Sequence, residues 1–184
     1  MKIHFISPYS YDLQIGTALN EAIAPIPDDS WIVHCDQDTL KPPGFAERIR
    51  EVLKDIKDKE TVLTCMTNRV GVKTPSLLVP DMYMEESISE HLKRSKELWK
   101  TFKTRVQDTD LAPGYCMIFH KWHWIALGGF PAHFIRFDAW LSERSKPKVM
   151  RGVYIIHLYR WKNVRSVAQN RYSHLIQPGY LINK

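Results

Sequence analysis

The chain has 184 residues, 44% of them hydrophobic and 25% charged, and carries a formal net charge of +6. This is the composition of a globular domain large enough to bury roughly 70% of its unfolded surface, and no apolar run approaches the ~20 residues that a membrane-spanning helix needs. The opening MKIHFISPYSYD lacks the apolar stretch of a secretory signal, so we expect a single domain over residues 1–184, cytoplasmic or laid against a membrane from the cytosolic side.

Ile3 to Ser7 reads as a strand ended by Pro8. A helix follows over Ile15 to Ala24, where Ile15, Ala18, Leu19, Ala22 and Ile23 share one face, and Pro25 and Pro27 stop it. Asp28, Asp29 and Ser30 turn into a strand over Trp31 to Cys35, which delivers Asp36 and Asp38. Phe45 to Ile56 sets Phe45, Ile49, Val52, Leu53 and Ile56 on a helical stripe. A strand over Thr61 to Met66 runs into Thr67, Asn68 and Arg69, then an irregular stretch with Pro75 and Pro80 leads to Tyr83. Glu85 to Phe102 reads as a charged helix, Tyr115 to Phe119 as a strand, and Trp122 to Leu127 as a short helix broken by Gly128 and Gly129. A helix over Asp138 to Ser145 and a strand over Val153 to Tyr159 close the pattern, which has no internal repeat.

Strands alternating with helices predict an α/β fold with a mainly parallel sheet covered on both faces. Ligands bind beyond the carboxyl ends of strands in such sheets. Pro8 and Tyr9, Asp36 to Asp38, and Asn68 with Arg69 each follow a predicted strand, so the fold gathers them at one rim.

Side chains two apart on extended backbone point the same way. If the strand continues through Gln37, the carboxylates of Asp36 and Asp38 converge, and they repel unless a cation or a metal-bound phosphate sits between them. The plainer alternative is a turn in which each aspartate bonds its own backbone. Cys35, Cys65 and Cys116 fall inside predicted strands without the spacing of a zinc knuckle or redox motif, as buried free thiols in a reducing compartment would. Arg151, Arg160, Lys162, Arg165, Arg171 and Lys184 load the last fifth of the chain. Such a run reads as a phosphate-facing or lipid-facing segment, or as a solvated helix face.

HCDQDTL after an apolar strand, IGTALNEAI upstream, then APGYCMIFHKWHWIALGGF, FDAWLSER and VYIIHLYR resemble, in this order, the signposts of GT-A fold glycosyltransferases of the family 2 type. The resemblance runs from about residue 13 to residue 160. It implies a GT-A-like domain, a nucleotide-sugar donor such as a UDP- or GDP-sugar, a divalent metal, and transfer to a hydroxyl of a glycan or other acceptor, usually with inversion. Nucleic acid is not among the expected partners, and peripheral contact with a membrane stays open.

By the resemblance Asp38 is the first metal ligand, and Asp36 lies near the ribose or donor sugar with Gln37 beside it. His157 completes the metal site, where the plain alternative is a core histidine in an apolar strand, and Arg160 meets the diphosphate. Oxygen ligands with one imidazole suit Mn²⁺ or Mg²⁺. Asp138 takes the place of the general base, although the family often shows Glu-Asp where this chain has Phe137 and Asp138. The competing role for Asp138 is a helix N-cap. Gly114, Gly128 and Gly129 let the backbone approach the sugar, or simply turn it. Asn20 matches an asparagine on the family's first helix, a position where a structural hydrogen bond is the commoner role. Asn68 and Arg69 are read as holding phosphate or acceptor, or as a surface turn, and Trp122 and Trp124 as stacking on sugar or packing.

Only about thirty residues separate the first strand from the aspartate pair, so the nucleotide-binding half is reduced relative to the family. Pro8, Tyr9 and Ser10 are the candidates left to grip the base. Two other classes remain open. A nucleotidyltransferase would need a phosphate-gripping loop that SPYSYDLQIG lacks, and a non-enzymatic binder of anionic polymer would use the basic C-terminal segment.

Overall fold

The structure is a computed structural model in which residues 1–10, 14–70, 74–83, 85–132 and 136–158 are described. The elements in chain order are β1 (Lys2–Ile6), α1 (Ile15–Ile23), β2 (Ser30–His34), β3 (Thr39–Leu40), α2 (Phe45–Leu53), β4 (Thr61–Thr67), α3 (Ile88–Phe102), β5 (Val106–Asp108), β6 (Met117–His120), α4 (Lys121–Ala126), α5 (Phe137–Ser142) and β7 (Lys146–His157). Two single 3-10 turns, Pro75–Leu77 and Pro80–Met82, fill the irregular stretch before α3.

The strands form one seven-stranded sheet in the order β1-β2-β6-β4-β7-β3, with β5 also paired to β7. β1, β2, β4 and β7 share a direction, whereas β6 runs against both β2 and β4, and β3 and β5 run against β7. The architecture is therefore α/β, but the sheet is mixed where a mainly parallel one was expected. Alternation of helices and strands along the chain does not reveal that β6 inserts between two strands of opposite direction.

Every residue of β2 and β4 is buried, which is why neither shows the apolar–polar alternation of a half-exposed strand. Their side chains divide between two cores by the period of two. Val33, Leu63 and Ile118 face α2, whose Phe45, Ile49, Val52 and Leu53 are buried against them. Ile32, Val62 and Phe119 face the opposite layer with Leu19 and Ile23 of α1, Phe137 and Leu141 of α5, and Phe130. A third cluster under the 3-10 turns joins Leu77, Val79 and Met82 to Tyr154 and Ile156 of β7.

β7 starts seven residues earlier than expected, because Lys146, Lys148 and Arg151 interrupt its apolar pattern. It pairs in register with β4 from Lys146 to Met150, then skips to Tyr154 and Ile155. The extra residues Arg151 to Val153 form a bulge, which bends the strand and re-aims the side chains beyond it. Gly152 is required there, since a Cβ would run into the Lys103 carbonyl. Past the bulge, β7 continues to His157, which pairs with Thr39 of β3.

Cys35 and Cys116 stand one residue outside β2 and β6 rather than within them, and all three cysteines are buried and free. Among the described residues no helix is long and apolar enough to cross a membrane.

Candidate metal centre

β2 ends at His34, and the chain leaves it with Cys35 N–H donating to the Ile6 carbonyl (3.1 Å) and Asp36 N–H to the Tyr115 carbonyl (3.4 Å). The backbone then turns: Thr39 Oγ1 donates to the Asp36 carbonyl at 2.7 Å, and Leu158 N–H donates to the Asp38 carbonyl at 2.8 Å. Asp36 and Asp38 therefore converge through a turn, not through the extended backbone that the spacing suggested. One ligand atom from each of Asp36, Asp38 and His157 lies within 4.8 Å of the other two.

Asp38 and His157 are each 6% exposed, with His157 Nε2 at 3.4 Å from Asp38 Oδ1. The other ring nitrogen, Nδ1, is 2.9 Å from the Arg69 carbonyl. A carbonyl only accepts, so Nδ1 carries the proton and Nε2 points toward the aspartates. Asn68 Oδ1 accepts the His157 backbone N–H at 2.8 Å, and the Tyr115 ring lies 5.2 Å from the imidazole. Burial opposes a charge on His157, but the hydrogen bond and negative charge of Asp38, reinforced by Asp36, raise its pKa above the ordinary 6.5.

These residues fit a hard divalent cation. Two carboxylates and an imidazole held in one hydrogen-bonding orientation are a donor set for Mn²⁺ or Mg²⁺. Gly114 leaves room beside them, since a Cβ there would sit 3.7 Å from both Asp36 oxygens and 3.0 Å from Phe137 Cζ.

Asp138 comes to the same neighbourhood from α5. It is not the N-cap, which is Arg136. Its Oδ1 accepts from Ala139 N–H at 2.8 Å, and Oδ2 accepts from Gly114 N–H at 3.3 Å. Gly114 thus stands between the Asp138 and Asp36 carboxylates. Gln37 is half-buried, and its Oε1 has no hydrogen-bond partner among the described residues.

Asn68 and Arg69 reach the site as supports for His157 rather than as a surface turn. The Arg69 guanidinium is buried, with Nε donating to the Tyr83 carbonyl at 2.7 Å and Nη2 without a partner among the described residues. Asn20 spends its amide elsewhere: Oδ1 accepts from Phe130 N–H (2.8 Å) and Trp124 Nε1 (3.0 Å), and Nδ2 donates to the Phe130 carbonyl (2.8 Å). Gly129 serves that same clasp, with φ of 82° and a would-be Cβ only 3.1 Å from Asn20 Oδ1. Both residues tie α1 to the segment after α4, and Trp124 is part of that packing, whereas Trp122 is 47% exposed. Pro8 and Tyr9 follow β1 at the rim, where Ser7 Oγ donates to the Cys35 carbonyl at 2.7 Å. Ser10 Oγ accepts from Gln14 N–H just before α1. Arg160 and the basic residues after it lie outside the described residues.

Sequence reasoning missed His34. It is 2% exposed, its Nε2 is 3.4 Å from Asp36 Oδ1, and its ring meets Phe137 edge-on at 5.5 Å. The available signal was a histidine closing an apolar strand two residues before Asp36. No protein-family model matches this sequence, and no curated protein matches it.

Proposed function

We propose that the protein is a metal-dependent glycosyltransferase with a GT-A-like fold, moving a sugar from a nucleoside-diphosphate sugar to an acceptor hydroxyl. The observation that carries this reading is the meeting of Asp36, Asp38 and His157 within reach of one ion. Its placement adds support: the acidic turn leaves the carboxyl end of β2, the side of an α/β sheet where ligands bind.

In this reading Asp38 and His157 hold the cation, with Asp36 completing the set or turning to the donor. A divalent cation bound there would supply positive charge beside the departing diphosphate. The Arg69 carbonyl and the Asn68 side chain keep the imidazole oriented. Asp138, anchored by Gly114 N–H, takes the proton of the acceptor hydroxyl, which requires an approach to ~3 Å. Each of its oxygens accepts one backbone N–H and retains a lone pair for the task.

Calorimetry with UDP and GDP, each with and without Mn²⁺, tests the reading. Nucleotide binding that requires Mn²⁺ is the expected result. Failure of both nucleotides to bind in the presence of Mn²⁺ overturns it.

A further inference from the structure

We propose that His34 is a positioning residue for Asp36: its Nε2–H donates to Asp36 Oδ1 and so aims the remaining carboxylate oxygen at the cation. The inference rests on the metal reading above and extends it by a residue outside the ligand set.

His34 sits where an apolar residue would be easier to place. It closes β2, five consecutive buried residues of sequence SWIVH, beside Ile32 and Val33, which have no polar side-chain atom. A buried imidazole without hydrogen bonds is costly, and among the described residues neither ring nitrogen has a partner that meets hydrogen-bond geometry. Buried polar atoms left in this state in a folded protein point to a ligand, a water or a functional role.

The surroundings single out Asp36. Asp36 lies two residues past the end of β2, and His34 Nε2 lies 3.4 Å from Asp36 Oδ1. Among the described residues the contact does not meet hydrogen-bond geometry, so the pair is poised, and the bond closes as Asp36 takes up its ligand. Phe137 braces the imidazole edge-on, and the same ring approaches the place where a Gly114 Cβ would be. Asp36 is thus backed by a donor on one side and faces the space left by glycine on the other. An imidazole suits the task better than lysine or arginine, because its ring presents one N–H in a fixed direction toward the carboxylate, without the several donors of an ammonium or guanidinium. Partners of ligating carboxylates at this remove typically change metal affinity by about 10–100-fold.

Glutamine and methionine have nearly the same shape, and only glutamine keeps a donor. Mn²⁺ affinity of the full chain, measured by calorimetry or EPR on the parent, His34→Gln and His34→Met, should fall about 10–100-fold for His34→Met and stay within a few-fold of the parent for His34→Gln. Equal affinity for His34→Met and the parent overturns the inference, as does equal loss in both variants. The parent offers a second measurement that needs no variant: ¹⁵N spectra of the His34 ring should show the Nε2–H tautomer, with that proton moving on addition of Mg²⁺, and an Nδ1–H tautomer overturns it. A parent that binds neither cation removes the metal reading and this inference together, whereas a parent that binds while the variants do not differ removes only this inference.

Discussion

His157 is claimed at both nitrogens, by the Arg69 carbonyl at Nδ1 and by Asp38 at Nε2. A proton and a cation compete for that second nitrogen, so Mn²⁺ affinity should fall as pH drops below the raised His157 pKa, and titrations at descending pH measure this. Without metal, the direction for stability is the reverse. A histidine whose folded pKa exceeds its unfolded value adds stability that is complete below ~6.5 and disappears as pH rises through the folded value. The unfolding free energy of the metal-free parent should therefore exceed that of His157→Gln by more at about pH 5.5 than at about pH 8.5. Asp38→Asn should abolish measurable Mn²⁺ binding, since it removes the most buried carboxylate of the set. Asp138→Asn should slow transfer by ~10² to 10⁴ while nucleotide affinity stays close to the parent's, and equal losses in both would assign Asp138 to binding. The acidic pair was legible because an Asp-x-Asp after an apolar run stands out against its neighbours, whereas His157 by itself reads as a core histidine and only the resemblance pointed to it. The roles of Asn68 and Arg69 were not. They act through an amide oxygen and a main-chain carbonyl, and nothing local in NRV distinguishes such support from a surface turn.

At the scale of elements, two glycines and one asparagine carry more than their size suggests. Asn20 satisfies the Phe130 backbone and the Trp124 indole at once, so Asn20→Ala strands buried polar groups. It should cost about 1–3 kcal/mol in urea unfolding and leave Mn²⁺ affinity unchanged. Gly129 closes the same clasp from the other side. Gly152→Ala drives a methyl into the Lys103 carbonyl, which should cost well over the ~1 kcal/mol of an ordinary point change. It should also weaken Mn²⁺ binding, because the bulge sets the aim of His157. The helical stripes of α1 and α2 and the buried runs of β2 and β4 were readable from periodicity and apolar content. β3 and β5 were not, being two and three residues long, too short to display any period. The start of β7 was hidden because lysines and an arginine punctuate a strand whose first half flanks the largely exposed β5.

Across the whole molecule, the candidate site bridges distant parts of the sheet. β6 and β4 separate β2 from β7, yet the turn at Asp36 to Asp38 crosses the rim and places β3 beyond β7. A cation held there links the chain near residue 38 to the chain near residue 157, and a ligand that binds only the folded state stabilises it by mass action. Mn²⁺ at ~100 times its dissociation constant should raise the parent's melting temperature by roughly 5–10 °C, with no rise in Asp38→Asn. Burial runs, helical faces, turn residues and the presence of paired carboxylates were determined by the sequence alone, because each depends on neighbours within a few positions. Only the tertiary structure decided that β6 runs against its neighbours, that a turn brings the aspartates together, that His34 lies beside Asp36, and that His157 meets Asp38. Those arrangements depend on how whole strands share hydrogen bonds and bury their faces, which brings together residues from distant parts of the chain, and no local pattern encodes them.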